Sequence, residues 1–509
     1  MKIERTKNAI RNISWGYVQR LINIIFPFIF RTIMIYVLGS EYLGINSLFT
    51  SILQVLNLSE LGFGSAIVYN MYQPIAENNS KQICALLNYY KKIYFAIGCV
   101  ILCLGLLIMP FIPHLIAGSY PESINIYFVY FMFLLNTSLS YFFFSYTGSL
   151  LNAFQRNDLE SKAFIIVSLF RYGIEIVGIY ITHKYYLFLL IELISTILLN
   201  YIKYIYTQRL FPQYTCNGDI ENKQKKIIKS NVIALMYHKV GATVLNSADN
   251  IVISAFMGVI IVSNYNNYYY IMNAIEGIIT ICFTGLTGGI GNSFIVETIE
   301  KNKDYFKKIL FFNAWIVGFC SICLVCLYQD FMRIWVGEGY MFNDNIIILI
   351  VIYFFVHNIR RTIITFRDGA GMWQDNQYQP IVSALFNIIF NVILVNIIGI
   401  AGILISSILS MILIDIPWES NMFCKKIKMK TLEYFKLLFL YSLSFLLTAI
   451  FTKFLTNMIT FTPIINLFLK GVLCLTLPNM IFIIIFHKKD EFSYFYNLAN
   501  THIKALFKY

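Results

Sequence analysis

Charge is scarce in this sequence. Asp, Glu, Lys and Arg make up 13% of its 509 residues, against 58% hydrophobic residues. An ordinary soluble domain carries about 25% charged and roughly 45–50% apolar residues. Half the usual charge cannot cover the surface of a soluble protein this long, which excludes a cytosolic enzyme. Length alone would suggest about three soluble domains, and the composition overrides that. Proline is also scarce, at 10 residues, and no low-complexity linker divides the chain. No stretch between the apolar runs is long enough for a soluble insert. The ten cysteines lie mostly inside apolar segments. Cys320, Cys323 and Cys326 therefore read as small buried hydrophobes rather than metal ligands, and no metal is expected. A cleavable leader is not expected either: the apolar run behind the basic start is too long and lacks a small-residue cleavage site.

What remains is a set of long apolar runs and a net charge of +13. A helix crossing the hydrocarbon core needs about 20 mostly apolar residues. That ruler gives fourteen candidate spans, among them Tyr42–Tyr72, Ile124–Leu151, Asn231–Met257, Asn345–Arg361 and Ile400–Ile416. The runs are unbroken at helical length instead of alternating, so they are helices and not barrel strands. The expected fold is an all-α polytopic membrane protein. Short inner loops attract Lys and Arg. With both termini inside, the inner segments collect the great majority of cations. The outer loops hold only Lys184, Arg333 and Lys453. This sorting houses most of the positive excess without invoking nucleic acid.

The most polar internal stretch, Pro212–Lys229, separates two related halves. When Asn12 is laid on Asn231, Arg20 falls on Lys239, Arg31 on Asn250 and Gly39 on Gly258. Both segments end in an apolar-Gly turn. An even six-span offset makes this a parallel repeat. The plan is a first lobe over 1–210, a cytoplasmic linker over 211–230, a second lobe over 231–430, and two further spans with a cytoplasmic tail over 431–509. The run Gly285-Leu-Thr-Gly-Gly-Ile-Gly lies at the end of a membrane helix and not after a strand. It therefore reads as close packing or a flexible helix end rather than a phosphate loop.

Seven cations lie in or at the edge of spans: Arg20, Arg31, Arg171, Lys203, Lys239, Lys436 and Lys470. Each costs about 2.5–3.5 kcal/mol near the bilayer centre on insertion scales, so such groups face a bundle interior or a watery cavity, or snorkel from a helix end. Lys203 and Lys436 fit snorkelling, and Lys470 fits either. Arg20 and Arg31 are about three helical turns apart, so they share one face of the first span. In the repeat-equivalent span Lys239, Thr243, Asn246 and Asn250 form one polar stripe flanked by Asp249 and His238. Two equivalent polar faces imply a water-filled cavity lined by Arg20, Arg31, Lys239, Asn246, Asn250 and Asp249. Weaker candidates are Glu60 beside the stripe Asn46, Thr50, Gln54 and Asn57; Glu276 on the eighth span; and Arg171, which Glu175 could instead neutralise. Arg360 and Arg361 are either inner-mouth cations or ordinary loop charges. A cationic lining suits an anion, phosphate above all. Neutral polar groups and 17% aromatic residues suit a sugar-like head group.

The stretches Arg31-Thr-Ile-Met-Ile-Tyr-Val-Leu-Gly-Ser-Glu-Tyr-Leu-Gly44 and Leu56-Asn-Leu-Ser-Glu-Leu-Gly-Phe-Gly-Ser-Ala66 resemble the opening of bacterial capsular and O-antigen oligosaccharide flippases. Asp249-Asn-Ile-Val-Ile-Ser-Ala-Phe-Met-Gly258, Gly291-Asn-Ser293 and Phe331-Met-Arg-Ile-Trp-Val-Gly337 resemble their second-half landmarks. These are the Wzx-type members of the multidrug/oligosaccharidyl-lipid/polysaccharide exporter (MOP) superfamily. The resemblance implies two six-helix lobes with alternating access, plus two C-terminal helices bordering a lipid-tail groove. The implied substrate is an undecaprenyl-pyrophosphate-linked oligosaccharide of the bacterial cytoplasmic membrane. Of the candidate residues, Arg31, Glu60 and Asp249 fall in matching segments. No cofactor is implied, and coupling to a proton or sodium gradient or to the membrane potential stays open. A polysaccharide polymerase and glycosyltransferases are candidate partners. A drug or small-molecule antiporter of the same fold is the competing reading. A membrane glycosyltransferase or polymerase is disfavoured by the short, mostly uncharged outer loops.

Overall fold

The computed structural model describes residues 5–57, 63–118, 120–372, 375 and 377–506. Among the described residues there are nineteen α-helices and no strand. By internal contacts the chain divides into two units, Met1–Asn266 and Asn267–Tyr509.

The first unit holds α1 (Arg5–Val37), α2 (Ser40–Leu56), α3 (Phe63–Ala76), α4 (Ser80–Ile108), α5 (Ile126–Phe142), α6 (Tyr146–Ala153), α7 (Asn157–Thr182), α8 (Tyr185–Leu210) and α9 (Asn222–Met257). It ends inside α10 (Val259–Val296). The second unit continues with α11 (Ile299–Trp335), α12 (Asp344–Ile359), α13 (Arg361–Gly369), α14 (Gln379–Ile398) and α15 (Ile400–Ser410). It closes with α16 (Ile416–Lys426), α17 (Thr431–Asn457), α18 (Pro463–Phe486) and α19 (Asp490–Leu506).

Local chemistry explains several boundaries. Asn79 and Asn125 cap α4 and α5, each side-chain oxygen accepting the backbone N–H three residues on, at 3.1 Å. Gly39 ends α1 at φ +111° and Gly258 ends α9 at φ +88°. That region strains any residue with a Cβ, so glycine at each of these two positions lets one helix turn directly into the next. Gln155, two residues before α7 begins at Asn157, sits at φ +57°.

Among the described residues, eleven helices, or twelve if the pair α5 and α6, bent by 50°, counts as one span, are long and apolar enough to cross a membrane. Large apolar side chains such as Leu447, Phe468 and Ile484 are exposed on them. The chain is a multi-pass membrane protein of the all-α class. Two of the fourteen expected spans are not among the eleven or twelve. Tyr42–Tyr72 falls on α2 and α3, of 17 and 14 residues, each short of a full crossing. Asn231–Met257 lies within α9, whose polar stripe lowers its hydropathy. The expected spans Asn345–Arg361 and Ile400–Ile416 both extend into longer helical runs, Asp344–Gly369 and Ile400–Lys426. The second run contains a π-helical turn, Met411–Asp415, between α15 and α16. Such turns are rare and recur at functional positions.

Each unit has its own aromatic core. In the first, Phe49 meets Tyr130 and Phe133 edge-on at 5.3 and 5.7 Å. In the second, Phe306, Phe366 and Phe423 pack mutually within 5.7 Å. The ten cysteines are all free.

Candidate functional site

In the first unit, the first two turns of α10 gather polar groups from α1, α2 and α9. Arg31 is half-buried, and its Nη2 donates to the Ser263 carbonyl at 3.4 Å. Tyr265 donates its hydroxyl to Asp249 at 3.3 Å. Asn266 donates to Asn250 Oδ1 at 2.8 Å, and Asn250 donates in turn to Ser51 at 2.9 Å. Ser247 donates to Gln54 at 3.3 Å. Gly44 makes this convergence possible: a Cβ there would lie 1.9 Å from the Val259 carbonyl oxygen. Arg31, Asp249 and Asn250 are thus brought to one short segment, Ser263–Asn266. Sequence reasoning named those three but not Ser51, Ser263, Tyr265 and Asn266. The signal was present in the run Ser-Asn-Tyr-Asn-Asn at 263–267, an unusually polar opening for a membrane helix.

Arg20 is exposed and has no ion pair among the described residues. Glu60 lies outside the described residues, as do the side chains of Lys239 and Asn246. Arg171 lies 3.6 Å from Glu175 and 3.9 Å from Glu192, and its guanidinium sits 4.3 Å from the Tyr172 ring centre. Glu192, on α8, was not anticipated.

In the second unit the two adjacent arginines part company. Arg360 is buried: Nη1 meets Asp415 Oδ2 at 2.6 Å, while Nη2 and Nε meet the two oxygens of Glu419 at 2.8 and 3.1 Å. Gln379 also donates to Asp415. Arg361 turns the other way and meets Glu276 Oε1 at 2.7 Å, an oxygen that also takes His357 Nε2 at 3.1 Å. Arg361, Glu276 and His357 stay partly exposed. Lys470 pairs with Asp330 at 2.6 Å, which answers the question left open for it.

Chemically, the first cluster offers a guanidinium, amides and hydroxyls to a polar ligand, and the second offers Arg361 and His357. Among the described residues no group of His, Cys, Asp or Glu is suited to a metal ion.

No family model matches the sequence, and no curated protein matches it. Solved structures do match by fold. One is a multidrug resistance MATE family transporter of the MOP superfamily in its inward-facing conformation. Its TM-score is 0.62 at 14% identity, over 82% of this chain and 99% of that one. Another is the lipid II flippase MurJ in an inward closed conformation. Its TM-score is also 0.62, at 17% identity over 94% of this chain and 99% of that one. A third is the Vibrio cholerae MATE transporter VcmN, with a TM-score of 0.53 at 14% identity, over 80% and 94% of the two chains. The chain has the fold of MOP superfamily transporters. These three structures are of transporters and a flippase.

Proposed function

We propose that this protein is a flippase. It moves undecaprenyl-pyrophosphate-linked oligosaccharide units across the cytoplasmic membrane of a bacterium, for capsule, exopolysaccharide or O-antigen synthesis. Both termini lie on the cytoplasmic side. The observation that carries the reading is Arg31. A guanidinium held half-buried among amides and hydroxyls, in a fold shared with MATE transporters and MurJ, suits an anionic, hydroxyl-rich cargo. Arg171 and Asn250, in the same unit, are further candidates for contact with that cargo. Transport proceeds by alternating access, driven by a proton or sodium gradient or by the membrane potential. A polysaccharide polymerase and glycosyltransferases act on either side of it. The test is a deletion strain: lipid-linked units should accumulate facing the cytoplasm. Normal delivery of those units to the outer leaflet would refute the reading.

One observation favours a second reading, an ion-coupled antiporter of soluble cations. Glu175 and Glu192 share the single Arg171, so that cluster holds one more carboxyl group than it has cations. Ion-driven efflux of an organic cation from proteoliposomes, with no movement of lipid-linked sugar, would support it.

A further inference from the structure

Glu276 stands on α10 between two donors, a guanidinium and an imidazole. Its Oε1 takes both Arg361 Nη2, at 2.7 Å, and His357 Nε2, at 3.1 Å. A carboxylate has no proton to give, so the imidazole donates. Arg361 Nε is buried in the same place and has no hydrogen-bond partner. One carboxylate oxygen thus serves two donors while a third goes without. The donors themselves are held firmly. Arg361 opens α13 directly after Arg360, which is locked onto Asp415 and Glu419. His357 stacks on Tyr353 with planes 14° apart, and the Tyr353 hydroxyl bonds that of Tyr269 at 2.8 Å.

The acceptor's helix has open space beside it. Below Glu276, α10 carries Gly285, Gly288 and Gly289, and a Cβ added at any of them would meet nothing within 4 Å. Further along the same run, Gly291 packs against α13, where a Cβ would lie 3.0 Å from the Gly369 carbonyl oxygen, so the run both packs closely and leaves open space beside it. Glu276, His357 and Arg361 are all partly exposed, at 21%, 34% and 18%, so the cluster is open to a ligand.

We infer that His357 and Arg361 form a phosphate subsite, and that Glu276 fills it as an internal counter-anion until a phosphate group takes its place. A phosphate presents three acceptor oxygens in a geometry that matches the guanidinium edge. It can engage Nε and Nη2 of Arg361 together with His357 Nε2, which one carboxylate oxygen cannot do. The ligand chemistry is a phosphate or pyrophosphate ester. That it comes from a lipid-linked sugar rests on the function proposed above. Exchange of one anion for another leaves the Arg361 guanidinium paired at each stage. It also couples arrival of cargo to loss of the Glu276 tie from α10 to α12 and α13.

The experiment titrates inorganic pyrophosphate into the full-length protein in phosphatidylcholine nanodiscs, read by calorimetry at fixed ionic strength. Glu276→Gln should tighten binding about tenfold or more, the factor one charge-assisted hydrogen bond is worth. Adding Arg361→Gln to that variant should abolish binding. Unchanged or weaker binding in a monodisperse Glu276→Gln protein overturns the inference. If that variant does not fold, Glu276→Asp, which withdraws the carboxylate but keeps its charge, must tighten binding or the inference falls. Undecaprenyl pyrophosphate should displace the probe. Equal displacement by phosphatidylglycerol would overturn the assignment to cargo and give the site to bulk headgroups. Failure of transport in cells, with the pyrophosphate pattern intact, would remove the flippase reading and leave the subsite standing.

Discussion

Arg360 gives the sharpest stability prediction. Its side chain is 9% exposed, and the carboxylates of Asp415 and Glu419 are 4% and 2% exposed. Three contacts of 2.6, 2.8 and 3.1 Å hold the three groups together. Arg360→Met keeps the length and apolar stem but leaves two carboxylates buried without a cation. Removing one partner of such a pair costs about 3–5 kcal/mol, most of it the desolvation of the charge left behind. In a unit of this size that corresponds to an apparent Tm lower by on the order of 10 °C. The assay is thermal unfolding of the detergent-solubilised protein, followed by loss of the monodisperse peak on size-exclusion chromatography. The reasoning also predicts a rescue. Replacing the whole network, as Arg360→Met with Asp415→Leu and Glu419→Met, removes the stranded charge and should recover most of the loss, since apolar replacement of a complete buried network is often neutral. A single variant whose Tm stays within about 2 °C of the parent, less than 1 kcal/mol of effect, would refute the account.

Other outcomes follow from the same structure. Arg31→Ala should abolish complementation of the deletion strain while membrane insertion and elution profile stay normal; wild-type transport would remove Arg31 from the site. Gly44→Ala places a Cβ 1.9 Å from the Val259 carbonyl oxygen. Backbone cannot yield there, so about 1–3 kcal/mol should be lost, visible as reduced thermal stability. Lys92 bonds Asp219 at 3.0 Å, and this hydrogen bond, then the charge itself, hold the Asp219 carboxyl below its ordinary range. A lowered folded-state value means the tie is intact above the ordinary carboxylate pKa and is lost as pH falls through the lowered one. Hydrogen exchange of residues 212–221 should therefore be slower than in Asp219→Asn at neutral pH, and the two should converge in acid. The effect is small because both groups are exposed.

Much of the architecture was legible in the amino acids. Length and hydropathy marked the membrane helices, since each run must satisfy its own backbone in lipid. The glycines at 39 and 258 marked two helix-ending turns, because their φ values disfavour other residues. Pairing was not legible. Arg360 and Arg361 are neighbours of the same type, yet one reaches Asp415 and Glu419 and the other Glu276. Successive positions at a helix break diverge by roughly 100°, and the helix that each then meets is a tertiary matter. The same holds for Arg171: Glu175 on its own helix could be read from spacing, while Glu192 on α8 could not.

These pairings sort the membrane-embedded cations by what they can do. A charge in lipid must be compensated, so finding a partner says little about function. What differs is how much of the donor set the partner uses and how deeply both are buried. Arg360 spends Nε and both terminal nitrogens on two carboxylates and is closed off, the condition of a group that fixes shape. Lys470 with Asp330 at 2.6 Å, both nearly buried, belongs with it. Arg361 keeps a buried nitrogen without a partner and shares one acceptor oxygen with an imidazole. An unsatisfied buried donor costs about 1–3 kcal/mol while it waits. A fold under selection for stability alone would remove that cost with one more acceptor. Its persistence beside a partly exposed carboxylate is what an exchangeable anion site requires, and that places the ligand search at Arg361 rather than at its buried neighbour.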